Sequence, residues 1–204
     1  MQKLVFIVVA YLLSMPIHAD PIGTVIIVKN KVKAARDNAE FVIKRRAKLE
    51  KNDVITTGSY SKTQFRLIDG TLFTLGEKTR LRINEYQFNK ENSKAVFELT
   101  KGVFRAITGE ITKLDNPRFK VKTPMGSIGI HGTEFWGGYL DEGKIDVLFI
   151  DGKHPIVVEN GYGRVELKTP GEGTTLEPGK APANPKFWPL QKVQRALATM
   201  EVGS

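Results

Sequence analysis

Residues able to do chemistry are sparse in this sequence of 204 residues. His131 and Glu134 could each supply a metal ligand, but residues at that spacing on a strand point to opposite faces of a sheet. Glu134 could also join Asp141 or Glu142 as the carboxylate pair of a glycosidase, although carboxylates meet by chance in a chain that is 26% charged. Neither arrangement includes a third ligand or a nucleophile. We therefore predict no catalytic residue, no metal site and no cofactor.

Residue type and spacing exclude further catalytic classes. The sequence has no cysteine, which excludes disulfides, thiol nucleophiles, iron–sulfur clusters and zinc knuckles. It contains no nucleophile elbow, no His-Glu-x-x-His helix and no phosphate-binding loop ending in Gly-Lys-Ser/Thr. Gly126, Gly129 and Gly132 recur at every third residue, which is the wrong spacing for a dinucleotide fingerprint. The sequence favours a protein that is not an enzyme.

Basic residues are concentrated between Lys29 and Lys51, a segment that contains nine lysines and arginines and only three acidic residues. The densest part is a candidate anion-binding patch of Lys44, Arg45, Arg46 and Lys48, which would attract lipid headgroups, lipopolysaccharide phosphate or an acidic protein. A charged strand edge that resists aggregation explains the run equally well, and we favour that interpretation. Nucleic acid is the less suitable partner, because no aromatic-rich strand motif or recognition helix accompanies these residues.

The first 19 residues have the pattern of a secretory signal peptide. Lys3 precedes an apolar run from Leu4 to Met15, and Ala19 offers a small residue for cleavage. A membrane span needs about 20 apolar residues, so a permanent anchor is the weaker interpretation. No later segment is long and apolar enough to cross a bilayer. We predict cleavage after residue 19 and a periplasmic or secreted protein.

The elements that must position the remaining residues are strands. Apolar and polar residues alternate along most of the chain, and glycine-containing turns separate the alternating runs at short intervals. These intervals leave no room for crossover helices. The sequence predicts an all-β domain over residues 20–177, built as a meander, a sandwich or a solenoid of short strands.

At the Asp69-Gly70 turn, the alternation of apolar residues indicates which side chains share one face of the hairpin. A two-residue turn would mix polar and apolar residues on one face of the hairpin. A three-residue connection over residues 69–71 pairs Leu67 with Phe73 and Phe65 with Leu75, which keeps the apolar residues together. We predict the longer turn, with a corner between unpaired strands as the alternative.

Residues 178–204 predict a Pro-rich linker, from Pro178 to Pro185, followed by a helix. Leu190, Val193, Leu197 and Met200 have the spacing of an amphipathic helix that starts after Pro189. We expect this helix to cap an open end of the β stack, with Phe187 and Trp188 as anchors. Docking to a partner is the alternative.

The most distinctive pattern lies in residues 119–135, Phe-Lys-Val-Lys-Thr-Pro-Met-Gly-Ser-Ile-Gly-Ile-His-Gly-Thr-Glu-Phe. It resembles the FecR domain family, whose members typically show a Thr-Pro-x-Gly turn and then Gly-Thr-Glu-Phe or a similar tetrapeptide. Motifs at residues 49–58, 67–71, 75–76 and 99–105 agree in order, so the resemblance covers about residues 53–152. Asn52 departs from the pattern, because a glycine is common there, and so does His131, which stands where another polar residue often precedes Gly132.

The resemblance implies a periplasmic, all-β, solenoid-like module. In the best-known setting, the family relays the occupancy of an outer-membrane transporter to an anti-sigma segment in the cytoplasm. This sequence shows neither that cytoplasmic segment nor an internal membrane helix. We therefore expect it to provide only the exported recognition module.

The residues that carry the resemblance have types suited to structure rather than to ligand binding. They are Asp69, Gly70, Gly102, Thr123, Pro124, Gly126, Gly132, Thr133, Glu134 and Phe135. We expect the glycines at turns that need positive φ or close backbone approach, and Thr123-Pro124 in an extended entry to a turn. Thr133 and Glu134 are expected to bond to turn amides, and Phe135 to fill the core.

Three functional hypotheses follow. The first is an envelope module that binds another protein and is related to signalling. The second is a glycan- or peptidoglycan-binding protein, for which Trp136, Tyr139 and Tyr162 would offer stacking surfaces. The third is an envelope hydrolase, which the missing catalytic groups disfavour.

Overall fold

A computed structural model describes residues 20–89, 93–114 and 118–201. The predicted signal peptide lies outside the described residues. Within them, no helix is long and apolar enough to cross a membrane.

The described chain is almost entirely β-structure, which confirms the predicted all-β class. One short 3-10 helix spans Glu110–Lys113, and one α-helix, α1, spans Leu190–Ala198. The strands are β1 (Gly23–Lys29), β2 (Val32–Arg36), β3 (Ala39–Val42), β4 (Lys48–Leu49), β5 (Val54–Thr57), β6 (Lys62–Leu67), β7 (Leu72–Leu75), β8 (Arg80–Gln87), β9 (Lys94–Lys101), β10 (Val103–Ile107), β11 (Arg118–Thr123), β12 (Gly126–Ile130), β13 (Thr133–Gly138), β14 (Ile145–Gly152), β15 (Ile156–Asn160), β16 (Gly163–Leu167), β17 (Glu172–Leu176) and β18 (Lys186–Phe187).

The strands form two nine-stranded sheets between which the chain alternates. Sheet I has the order β18-β17-β14-β13-β10-β7-β6-β1-β4, and sheet II has the order β16-β15-β12-β11-β9-β8-β5-β2-β3. The strand pairs are antiparallel except for β9 and β11, which run parallel. Because the chain adds one or two strands to one sheet and then crosses to the other, both sheets grow in the same direction. This progression combines the sandwich and the solenoid that the sequence predicts.

The core lies between the two sheets and follows from the alternation of apolar residues. Phe73 lies at its centre, with its ring centroid 4.5 Å from that of Phe97 and 5.3 Å from that of Phe65. Phe104 and Phe119 continue the cluster along the sheets. Each fully buried phenylalanine contributes about 1.5–3 kcal/mol through the hydrophobic effect.

The β6–β7 hairpin has the predicted face but a different register. Phe65 pairs with Phe73, and Thr63 with Leu75, so the three-residue connection spans residues 68–70 instead of 69–71. The shift is even, so the apolar residues stay on the core face. The Leu67 amide donates a 2.9 Å bond to the Thr71 carbonyl, which places Thr71 outside the connection, and the Asp69 carboxylate accepts bonds from the Thr71 amide and hydroxyl.

Helix α1 confirms the predicted helix but does not cap an open end of the stack. It lies across the outer face of sheet I, where Ala196 and Met200 pack with Trp136 and Leu148. The physical reason is the composition of β13 and β14. Phe135 points into the core, whereas the next residue, Trp136, points outward, and a sheet with large apolar residues on both faces needs cover on both.

Two details of the predicted helix are wrong. Leu190 is 70% exposed and Phe187 is 64% exposed, so neither anchors the segment, and Trp188 alone does so. The helix instead turns the small residue Ala196 to the sheet. This allows its backbone to approach closely enough for the Trp136 indole Nε1 to donate a 3.0 Å hydrogen bond to Thr199 Oγ1.

Candidate binding groove

A groove of about 970 Å³ lies along the rim where strand ends of both sheets meet. Its walls come from segments far apart in sequence: the end of β1, the loops before β6 and after β7, the β9–β10 turn, the β13–β14 connection and the last turn of α1. The lining residues include Asn30, Tyr60, Glu77, Lys78, Lys101, Gly102, Tyr139, Glu142 and Thr199. This volume is within the range of small-molecule and peptide-anchor sites.

The floor of the groove is the turn at Gly102, where the chain crosses from sheet II to sheet I. Gly102 has a φ of 81°, and a Cβ there would collide with the buried Thr79. The Thr79 hydroxyl accepts a 3.0 Å bond from the Val103 amide, and the Gly102 carbonyl accepts a 3.0 Å bond from the Tyr139 amide. The predicted need for glycine at position 102 is explained by both positive φ and close approach.

One wall is made of residues in the left-handed backbone region. Asn30, Tyr60 and Lys78 have φ values of 57°, 54° and 50°. Asn30 Nδ2 donates to the Tyr60 carbonyl at 2.5 Å, the Tyr60 amide donates to Glu77 Oε2 at 2.7 Å, and the Lys78 amide donates to the Gly58 carbonyl at 3.0 Å. A tyrosine or a lysine in this conformation costs about 1–2 kcal/mol relative to glycine. The hydrogen bonds hold both side chains at the groove despite that cost.

The charges of the groove divide into paired and unpaired groups. Lys62 Nζ donates to the carbonyls of Ala198 and Glu201, and burial together with the nearby Lys29 lowers the pKa of Lys62. The ammonium groups of Lys78 and Lys101 are exposed and have no ion pair among the described residues. They are therefore available to an anionic group of a ligand.

The opposite wall contains the ring of Tyr139 and the carboxylate of Asp141, which is already paired within the chain. Tyr139 is half-buried, and this burial raises its pKa. Asp141 accepts hydrogen bonds from Arg195 and pairs with Lys144, and these contacts lower its pKa. The groove can thus offer two tyrosine side chains, Tyr60 and Tyr139, and two free ammonium groups to a bound chain. Within the described residues, no group of three or more His, Asp or Glu side chains is placed to hold a metal ion.

The family-motif residues of the β6–β7 turn form a structural network away from the groove. Asp69 is buried, and Gly70 next to it has a φ of 87°. Asp69 Oδ1 accepts a 2.7 Å bond from the Tyr86 hydroxyl, and Oδ2 accepts a 3.3 Å bond from the Ile111 amide. The turn is thereby tied to β8 in the other sheet and to the 3-10 helix.

The Thr-Pro-x-Gly motif builds the tight hairpin between β11 and β12. Thr123 pairs with Gly126 across the turn, and the Thr123 hydroxyl donates a 2.8 Å bond to the Gly126 carbonyl. The Thr123 hydroxyl also accepts a 3.3 Å bond from the Met125 amide. Pro124 stands at the first position inside the turn, where its fixed φ suits the geometry. A Cβ on Gly126 would lie 2.6 Å from the Glu159 carbonyl, so the neighbouring strand needs glycine there.

In the Gly-Thr-Glu-Phe tetrapeptide, the glycine and the phenylalanine have the expected roles, whereas Thr133 and Glu134 do not. Gly132 has a φ of 70°, and Phe135 is fully buried in the core, as expected. The Thr133 hydroxyl, however, donates to the His154 carbonyl at 3.2 Å, not to a turn amide. Glu134 pairs with Arg105 on the adjacent strand β10, because both side chains point to the outer face of sheet I. His131 is exposed.

The candidate anion patch lies apart from the groove. Lys44, Arg45 and Arg46 are exposed between β3 and β4, and they form no ion pair among the described residues. Lys48 Nζ donates a 3.1 Å bond to the Thr24 hydroxyl. None of these residues lines the groove, and the segment is a charged loop beside a strand edge.

The three aromatic residues suggested for glycan stacking do not form one platform. Trp136 is fully buried beneath α1, so it cannot stack on a sugar. Tyr139 lines the groove, whereas Tyr162 is exposed on the β15–β16 turn and is absent from the groove lining. Sequence reasoning missed Tyr60, because a positive φ at a tyrosine leaves no trace in residue pattern.

Comparison with known proteins identifies the family. A family model described as FecR protein matches residues 53–153. The chain is a FecR-domain protein. The matched range agrees with the range of 53–152 over which its motifs resemble the family.

Two solved structures share the fold of this FecR-domain protein. Both are crystal structures of a proposed anti-sigma factor from Parabacteroides distasonis ATCC 8503. They are 20% and 19% identical to the chain and give TM-scores of 0.55 and 0.54. Each match covers 69% of this chain and 62% of the solved chain. No curated protein gives a significant match.

Proposed function

We propose that the chain is an exported, non-enzymatic module that binds another protein of the cell envelope and takes part in signalling. Its FecR domain and its likeness to a proposed anti-sigma factor support the signalling role. The export part of the proposal rests on the pattern of residues 1–19, which predicts a periplasmic or secreted location.

The observation that carries the binding role is the exposure of Tyr60 at the groove. Its side chain is 81% exposed, although its backbone has a φ of 54°. Hydrogen bonds from Asn30 to the Tyr60 carbonyl and from the Tyr60 amide to Glu77 hold this backbone conformation, which brings an aromatic side chain to the rim. Tyrosine is enriched among the residues that dominate binding energy at protein interfaces, and strained backbone is concentrated at functional sites.

The charge of the groove defines the partner more closely. Lys78 and Lys101 present free ammonium groups, whereas Glu77 and Asp141 already accept hydrogen bonds within the chain. The partner should therefore place acidic residues over the two lysines and an apolar side chain between Tyr60 and Tyr139.

The test is capture of envelope proteins by the purified chain, followed by affinity measurement with the captured partner. Tyr60→Ala should weaken binding at least about tenfold, as expected for loss of an aromatic interface anchor. Tyr162→Ala is the matched control, because Tyr162 is a similarly exposed tyrosine outside the groove, and it should bind like the unmodified chain.

The charge component has its own matched pair. Lys78→Glu with Lys101→Glu should reverse the attraction and weaken binding strongly, whereas Lys44→Glu with Arg45→Glu makes the same change of charge in the β3–β4 loop and should have little effect. If the loop variant loses binding and the groove variant keeps it, the partner uses the basic loop and the groove is not the site.

A glycan ligand is the second candidate. Tyr60 and Tyr139 line the same groove, and tyrosine rings with hydrogen-bonding neighbours are suited to sugar stacking. Retention of the chain on purified peptidoglycan or polysaccharide, lost in Tyr60→Ala, would favour this candidate over a protein partner.

A further inference from the structure

The outer face of sheet I contains an apolar surface that, among the described residues, is covered by the carboxyl-terminal segment. Val103, Trp136 and Leu148 point away from the inter-sheet core and pack against Trp188 and α1. Trp136 is fully buried, and its ring centroid lies 6.3 Å from that of Trp188 in an edge-to-face arrangement. This second cluster exists only while the segment is docked.

Glycines shape this face to receive a helix. A Cβ on Gly76 would lie 3.1 Å from Met200 Cε and 3.1 Å from the Thr199 carbonyl oxygen. A Cβ on Gly173 would overlap the Trp188 indole. The sheet therefore has recesses at both ends of the docked segment, and we call this surface, with Gly76, Val103, Trp136, Leu148 and Gly173, the helix-receptor face.

Two of the polar contacts between the face and α1 are made to acidic residues. Asp146 is fully buried, and its Oδ1 accepts bonds from Lys192 Nζ at 2.7 Å and from the Thr175 hydroxyl at 2.6 Å. Arg195 donates to Asp141 Oδ1 at 2.6 Å. The face thus selects a helix that carries cations one turn apart.

One acceptor of this site is left without a partner. The second carboxylate oxygen of Asp146, Oδ2, is buried and accepts no hydrogen bond. The Lys192 ammonium is a compact donor that reaches Oδ1 while lying 4.0 Å from the centroid of the Trp188 ring. A guanidinium could donate to both oxygens of a carboxylate at once.

These contacts suggest that another helix can replace α1 on the helix-receptor face. The helix has nine residues, which is too short to be stable in water without its docking surface, and it leaves a buried acceptor unsatisfied. We infer that the helix-receptor face also binds an amphipathic helix of a partner protein, with an arginine in the place of Lys192, in exchange for α1. This inference does not rest on the ligand of the groove, although exchange of α1 would also remove Ala198, Thr199 and Glu201 from the groove lining.

The test uses the full-length chain and a labelled synthetic peptide of residues 186–201. Ala196→Glu in the chain places a charge at the buried position of its own helix and should release α1 while leaving the receptor face intact. The peptide should bind this variant, and the same peptide with Lys192→Arg should bind about tenfold more tightly because it satisfies both oxygens of Asp146. Circular dichroism should show that the β-structure is retained.

The control removes the acceptor from the receptor. Adding Asp146→Asn to Ala196→Glu should abolish the preference for the arginine peptide. If Ala196→Glu does not fold, Lys192→Ala in the chain removes the contact of α1 with Asp146 and allows the same titration. Absence of peptide binding to a folded variant, or equal affinity for the lysine and arginine peptides, would overturn the inference.

Discussion

At the scale of single residues, the buried carboxylate of Asp69 shows how one side chain fixes a turn. Both of its oxygens are satisfied, by the Tyr86 hydroxyl, the Thr71 amide and hydroxyl, and the Ile111 amide. The sequence identified Asp69 and Gly70 as motif residues, but two residues that bind Asp69, Tyr86 and Ile111, lie in other elements of the fold. For that reason the face of the hairpin was predictable and its register was not.

The Tyr86 hydroxyl gives a pH-dependent prediction. Burial, and then its hydrogen bond to Asp69, raise the pKa of Tyr86 above the ordinary value of 10.0. A raised pKa means that the folded state holds the proton after the unfolded state has lost it. Its contribution to stability is therefore complete below pH 10 and declines as the pH rises above that value.

Tyr86→Phe should lower the free energy of unfolding at pH 7 by about 1–3 kcal/mol, because Asp69 loses a buried donor. Urea unfolding between pH 8 and about pH 11 should show a steeper decline in stability for the unmodified chain than for the variant. Tyr162→Phe, at an exposed tyrosine, should leave both the stability and its pH dependence unchanged. Parallel pH profiles for the unmodified chain and Tyr86→Phe would contradict the role of this hydrogen bond.

Gly76 shows that the space a glycine provides can be needed by residues distant in sequence. Residues 75–76 belong to the family resemblance, but the sequence does not give the role of Gly76. The structure shows that its missing side chain makes room for Val103, at 2.5 Å from a hypothetical Cβ, and for the end of α1. The residue that needs this space, Met200, lies more than a hundred positions away, so local pattern could not reveal it.

At the scale of elements, the strands and turns were predictable from the sequence, but the surface on which α1 packs was not. Alternation of apolar residues correctly indicated β-strands throughout, and the spacing of Val193, Leu197 and Met200 correctly indicated the helix. The place where α1 packs depends on Trp136 and Leu148, which face outward on strands whose alternate residues already fill the core. A strand buried on both faces does not disclose which element covers its second face.

Hydrogen exchange of α1 tests how firmly this element is held. Because the helix is short and its contact with Asp146 is incomplete, its amides should exchange about 10- to 100-fold faster than those of β13 and β14 beneath it. Lys192→Arg should slow the exchange of α1, whereas Gln194→Arg places a guanidinium at an exposed position of the same helix and should not. Equal protection of α1 and β13 in the unmodified chain would show that the helix is a permanent part of the fold.

At the scale of the whole molecule, the two sheets grow together, and this growth creates the groove. Six separate segments converge at the groove, and four of them are crossings between the sheets. Sequence motifs mark single segments, such as residues 99–105, but they do not show that these segments converge. The fold class, the family and the absence of a recognisable catalytic motif could be inferred from the sequence, whereas the candidate site required the arrangement of strand ends.

The measurement that bears most directly on the proposed binding role is site-specific photocrosslinking in intact cells. A photoreactive residue at position 60, in the groove, is compared with one at position 162, at an exposed tyrosine outside it. We expect position 60 to yield one discrete protein adduct that position 162 does not give, with loss of the adduct when Lys78 and Lys101 are changed to glutamate. No protein adduct at position 60, or the same adducts at both positions, would contradict a protein-binding role for the groove.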